Sequence, residues 1–134
     1  LVGVLVVAHG EMAAGLLDAA RMIVGEQEAL LALSIQEMED VEGLMAKVEE
    51  ALSQVDGGEG VLVMVDLPGA SPFNASARIA MQREGIEVVT GVNLPMLAEL
   101  LVLREGSSLE ELVDIAKEAG TSGIRTLSEI LNRK

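Results

Sequence analysis

The chain has 134 residues, half of them hydrophobic, with a single aromatic side chain, Phe73, and a net charge of −13 from 22 acidic and nine basic groups. This length suits one compact domain with a sizeable core. The charge excludes a non-specific nucleic-acid binder, which displaces counterions with a basic face. The absence of Trp and Tyr removes the stacking platforms that bind single strands, and the absence of Cys removes disulfides, thiolate metal sites and a thiol nucleophile.

The apolar pattern changes period regularly along the chain. Residues 1–8 (LVGVLVVA) form a continuous β-branched run, as a strand covered on both faces requires. The run is too short to cross a membrane and has no basic segment or cleavage site, so no signal peptide is expected. Residues 12–24 show helical spacing in Leu16, Leu17, Ala20, Ile23 and Val24, closed by Gly25. A second strand is predicted over 29–35 and a helix over 39–55, with Val41, Leu44, Met45, Val48 and Leu52 on one face. The Asp56-Gly57-Gly58 turn leads to a third strand, 60–66, ending on Asp66.

After the short turn LPGA, Ser71-Pro72 reads as a helix start, with a hydroxyl cap and proline at the first helical position. A fourth strand is expected over 86–92, then a helix from Pro95 to about Leu103. Asn93 is read as that helix's cap or as a partner-facing residue. Another helix is expected over 109–119, capped by Ser107 or Ser108, while GIRTLSEIL (123–131) fits strand and helix equally. Buried-type strands alternating with helices give an α/β fold: a doubly wound open sheet of four parallel strands, order 2-1-3-4, with helices on both faces. Its switch point lies between strands 1 and 3, where reacting groups collect at the carboxyl ends.

The only histidine, His9, ends strand 1, and Asp66 ends strand 3, so the two are expected at one edge with the helix start at Ser71. Individually these residues are a structural histidine, a turn former and a cap. Together they admit fewer readings. A serine hydrolase would need glycine where Phe73 stands in G-x-S-x-G. One His without Cys matches no metal spacing, and neither nucleotide-binding glycine motif occurs, so no metal and no cofactor are expected. Histidine as the nucleophile for a phosphoryl group fits throughout. Asp66 would hold the proton of one ring nitrogen, and Ser71 with the amides of residues 73 and 74 would face the phosphoryl oxygens.

At these residues the chain resembles the mannose-family EIIA domain of the bacterial phosphoenolpyruvate-dependent sugar phosphotransferase system. The resemblance is carried by GVLVVAHGEMAAGLLDAARMIVGE, GVLVMVDLPGASPFNASARIA and EVVTGVNLPMLAELLVLRE, and it runs over nearly the whole chain as a single domain, 1–134. It implies that His9 is phosphorylated on Nε2 by phospho-HPr and passes the group to a histidine of EIIB, which serves a membrane EIIC/EIID pair. It also implies that Asp66 orients the ring and Ser71 hydrogen-bonds the phosphoryl group. The backbone of Gly69, Ala70, Phe73 and Asn74 is expected to cradle that group. Met12, Asn93 and Met96 are expected at the docking face, Met12 and Met96 as adaptable apolar contacts. The family forms homodimers by exchanging a C-terminal strand, here about 121–134, added as an antiparallel edge strand. A cytoplasmic location follows. The chain departs from the family at LPGA, where members commonly carry a glycine pair beside the serine. The phosphotransfer subunit of dihydroxyacetone kinase shares the histidine and fold but not the SPFN and GVNLPM pair. A small hydrolase using Ser71 and a non-catalytic regulatory or binding domain on the same fold are the readings from other classes.

Overall fold

The computed structural model describes residues 1–132. Its elements are β1 (Gly3–His9), α1 (Met12–Val24), β2 (Leu30–Ile35), α2 (Val41–Val55), β3 (Val61–Val65), α3 (Ser71–Ala80), β4 (Ile86–Val89), α4 (Leu94–Leu103), α5 (Leu109–Ser122) and α6 (Leu127–Ile130). The sheet runs β2-β1-β3-β4 with every pairing parallel, the expected order.

The continuous apolar runs of β1 and β3 arise because both faces of the central strands are covered. Successive side chains alternate between the faces. Val4, Val6, Ala8, Leu62 and Met64 pack with Leu97, Leu100 and Leu112 beneath α1, α4 and α5. Leu5, Val7, Val61, Val63 and Val65 pack with Leu44, Val48, Leu52, Ala75 and Ile79 of α2 and α3. Gly3 is where this second layer comes closest: a Cβ there would lie 2.3 Å from the carbonyl oxygen of Val55, so the end of α2 rests on bare backbone.

At the amino ends of the strands, the buried Arg104 takes the place of a backbone connection. Its guanidinium donates to the carbonyls of Ala29 (2.8 Å), Glu28 (2.6 Å) and Val2 (3.3 Å) and to Oε1 of Gln27 (3.3 Å). It thereby fastens the starts of β1 and β2 to the end of α4.

The C-terminal segment differs from the expected edge strand. Residues 127–130 form one helical turn, capped by Thr126, whose hydroxyl accepts the N–H of Glu129 at 3.1 Å. The T-x-x-E spacing is a local start signal that favours the turn over an extended segment. Ile124, Leu127, Ile130 and Leu131 remain exposed, so the segment adds nothing to the core of its own chain. The last two positions of the proposed exchange segment, 133 and 134, lie outside the described residues.

Candidate functional site

Beyond Val7 and Val65, the last residues paired between β1 and β3, a side chain replaces the backbone acceptor. Oδ2 of Asp66 accepts the backbone N–H of His9 at 2.9 Å and also meets Nδ1 of the His9 ring at 2.7 Å. Oδ1 accepts the N–H of Leu67 at 2.9 Å. The carboxylate is therefore fixed on both oxygens, and the imidazole is fixed through it. Gly10 follows in the left-handed region at φ +57°, and its N–H reaches the carbonyl of Ile35 at 3.2 Å, so β1 ends sharply at the histidine.

The side chain of Asp66 is only 9% exposed, whereas that of His9 is 52% exposed. Burial by itself would raise the Asp66 pKa. The hydrogen bonds from the backbone and ring of His9 and from Leu67 outweigh it and hold the carboxyl below its ordinary value. An ionised carboxylate can only accept, so the contact to Nδ1 requires the proton to sit on that nitrogen. In the neutral ring Nε2 is then left with its lone pair.

The helix start on the same edge is displaced by one residue from the expectation. Ala70, not Ser71, is the cap residue of α3, with extended backbone at φ −87° and ψ 175°. Ser71 is the first helical residue, Pro72 the second, and no side chain caps the helix. The first helical hydrogen bond runs from the N–H of Asn74 to the carbonyl of Ala70 at 2.9 Å. This corrects the expected cradle: the Asn74 amide is occupied within the helix. Its side chain instead donates to the carbonyl of Gly69 at 3.2 Å and closes the LPGA turn, in which Gly69 sits at φ +79°. Among the described residues, the N–H groups of Ser71 and Phe73 have no backbone acceptor. The ring of Phe73 packs against the α2/α3 layer.

Asn93 caps α4: its Oδ1 accepts the N–H of Met96 at 2.9 Å, and its Nδ2 donates to the carbonyl of Gly120 at 3.0 Å. Both ends of this amide are thus occupied within the fold. Met96 is 4% exposed and lies over Gly120, where an added Cβ would fall 2.7 Å from its methyl carbon. Burial removes Met96 from the docking face. Met12 is 42% exposed, and two residues that the sequence reading passed over, Leu67 and the fully exposed Met38, are exposed in the turns after β3 and β2. Turn residues carry no periodicity, so no pattern in the sequence marks them. Among the described residues, no three His, Cys, Asp or Glu side chains are grouped to hold a metal ion. The histidine stands on an open rim; a cleft of about 890 Å³ lies at the other end of the sheet, lined by Glu28, Glu59 and Arg104.

Comparisons with known proteins bear on the family and the fold. Residues 3–117 match the EIIA-man family, described as the PTS system fructose IIA component. The mannose-specific EIIAB component of Escherichia coli strain K12 is 40% identical over 127 residues, covering 94% of this chain and 39% of that protein. The fructose-specific EIIA component of Bacillus subtilis strain 168 is 31% identical over 133 residues, covering 99% of this chain and 91% of that one. Among solved structures, an EIIA component from Streptococcus agalactiae superposes with a TM-score of 0.87 at 26% identity, over 96% of this chain and 99% of that one. A mannose/sorbose-specific IIA subunit from Enterococcus faecalis gives 0.85 at 28%, over 94% of each chain. The fold and site define an α/β domain with an exposed, carboxylate-held histidine at the carboxyl ends of its central strands. The chain belongs to the mannose/fructose/sorbose EIIA family of the sugar phosphotransferase system. It spans about 39% of the length of the mannose-specific EIIAB relatives.

Proposed function

We propose that the protein is a phosphocarrier in which His9 takes a phosphoryl group from the phosphohistidine of HPr and hands it to a histidine of EIIB. The observation that carries this reading is the paired contact of Asp66 with the backbone and Nδ1 of His9. Nε2 of His9 attacks the phosphorus; the N–P bond of the donor breaks, and its electron pair stays on the donor ring. Positive charge appearing on the His9 ring is stabilised by Asp66, which retains the Nδ1 proton as its hydrogen-bond partner throughout. The Ser71 hydroxyl and the free N–H groups of Ser71 and Phe73 face the phosphoryl oxygens, at a helix end whose dipole favours anions. The second transfer runs the same step outward, with the EIIB ring attacking and His9 as leaving group. EIIB in turn serves the membrane EIIC/EIID pair, so the protein works at the cytoplasmic side without entering the bilayer. An open rim suits this chemistry, because each reactant is a protein side chain rather than a small molecule needing a pocket.

Incubation with phosphoenolpyruvate, Enzyme I and HPr, followed by intact-mass analysis, tests the reading. One acid-labile phosphoryl group on the wild type and none on His9→Ala is the expected result. A folded wild type left unmodified by active partners overturns it, and places a non-catalytic binding domain in front.

A further inference from the structure

The turn that joins β3 to α3 is held by a side chain of the helix it leads into. Asn74 stands in the first turn of α3, and its Nδ2 donates to the carbonyl of Gly69 at 3.2 Å. A carbonyl only accepts, so the contact also fixes which way the amide faces. Packing does not shape this part of the turn: Gly69 lies at φ +79°, and a Cβ built on it would meet nothing within 4 Å. Nor does a capping side chain, because the cap residue is Ala70. A helix start without such a cap leaves its first N–H donors to water or to a ligand.

The bond from Asn74 decides where the next amide points. The Gly69–Ala70 peptide is trans, so its C=O and N–H face opposite ways. With the Gly69 carbonyl held against Asn74, the N–H of Ala70 is turned away from that side chain. Like those of Ser71 and Phe73, it has no backbone acceptor among the described residues. Successive unpaired N–H groups in a turn suit an anion. Asp66, which holds His9, is three residues before Gly69, so the two Cα atoms lie within about 11 Å. We infer that Asn74 is a positioning residue for phosphoryl transfer: it sets the Gly69–Ala70 peptide so that the Ala70 N–H joins those of Ser71 and Phe73 on the phosphoryl oxygens. This rests on the phosphocarrier reading and adds to it one donor and the side chain that aims it. A donor aimed beforehand costs no reorganisation as charge develops, which is why a contact remote from the reacting atoms affects the rate.

Nitrogen-edited proton NMR of the wild type and of Asn74→Ala, before and after phosphorylation of His9 by phosphoramidate, tests the inference. Alanine is a good helix former, and the melting temperature checks that the fold is kept. Asn74→Asp serves as a second variant, since it keeps the shape, suits a first helical turn and lacks the donor when ionised. In the wild type the amide protons of Ala70, Ser71 and Phe73 should all move downfield on phosphorylation. In both variants the Ala70 shift should be lost, and kcat with phospho-HPr should fall about tenfold with KM within about twofold. A purely structural Asn74 would lower the melting temperature and leave the Ala70 shift in place. An Ala70 amide that does not respond in the wild type, or responds equally in the variants, overturns the inference. A wild type that neither phosphoramidate nor phospho-HPr modifies overturns the phosphocarrier reading and this inference with it.

Discussion

Asp66 meets His9 twice through one oxygen, at 2.9 Å to the backbone and 2.7 Å to the ring, so it both ends the strand and chooses the tautomer. Asp66→Asn separates these duties. An amide can still accept from the backbone, but it cannot stabilise charge on the ring, and it can turn an N–H toward Nδ1 and move the ring proton to Nε2. Phosphorylation of His9 by phospho-HPr is expected to slow on the order of 100-fold, with KM changed much less, in stopped-flow or quench kinetics. The same substitution alters the acid limb of stability. The folded carboxyl titrates below its ordinary value of 3.8, so between the two values the unfolded chain binds more protons than the folded one. Stability from Asp66 is therefore complete above the ordinary carboxylate range and disappears as pH falls through the folded value. Denaturant titrations between about pH 2 and 6 should show a shallower acid loss for Asp66→Asn than for the wild type. Equal slopes would mean that the His9 contact does not hold the carboxyl down.

Legibility changes from element to element, for physical reasons. α1 begins at Met12 and ends at Val24 as its apolar spacing predicts, and the capping box of Ser108 and Glu111 fixes the start of α5. The central strands β1 and β3 were readable because both sheet faces are buried there, which leaves continuous runs rich in β-branched residues, whereas the half-buried edge strand β4 stops at Val89, short of the 86–92 expected. His9 and Asp66 were readable for the same reason: they are the first polar residues after two such runs. The start of α3 was one residue off, because proline is compatible with either of the first two helical positions and an uncapped Ala70 leaves no side-chain signal. Met96 was misplaced because position near the active edge says nothing of burial. Arg104 was not legible at all, since its partners are mostly carbonyls, and carbonyls carry no sequence. Its removal should nevertheless be felt. Arg104→Ala takes the guanidinium donors from the carbonyls of Val2, Glu28 and Ala29, of which Ala29 keeps the N–H of Val4, and leaves a void at the end of α4, a loss of about 3 kcal/mol. For a domain of this size that lowers the melting temperature by roughly 10 °C, measurable by calorimetry or circular dichroism. Phosphotransfer at permissive temperature should survive, because the guanidinium lies at the opposite end of the strands from His9.

At the scale of the whole molecule, two unfinished surfaces face each other in kind: β4 is an edge strand, and the C-terminal segment exposes Ile124, Leu127, Ile130 and Leu131. Exchange of that segment between two copies, laid along β4 as an antiparallel strand, would cover both at once. The single helical turn at 127–130 is no obstacle, since four residues of helix are marginal without packing. Charge works against the pairing. Each copy carries −13, so two copies repel, and added salt should strengthen their association by screening. Docking of a basic-faced donor has the opposite sign and should weaken with salt. Sedimentation velocity at about 20 and 300 mM salt, spacings at which the Debye length falls from roughly 20 to 6 Å, separates the two. A dimer that tightens with salt in the full chain, and is lost when the chain is stopped after Ser122, is the expected result. A truncated chain that dimerises as well as the full one would exclude the exchanged segment and move the interface to another face.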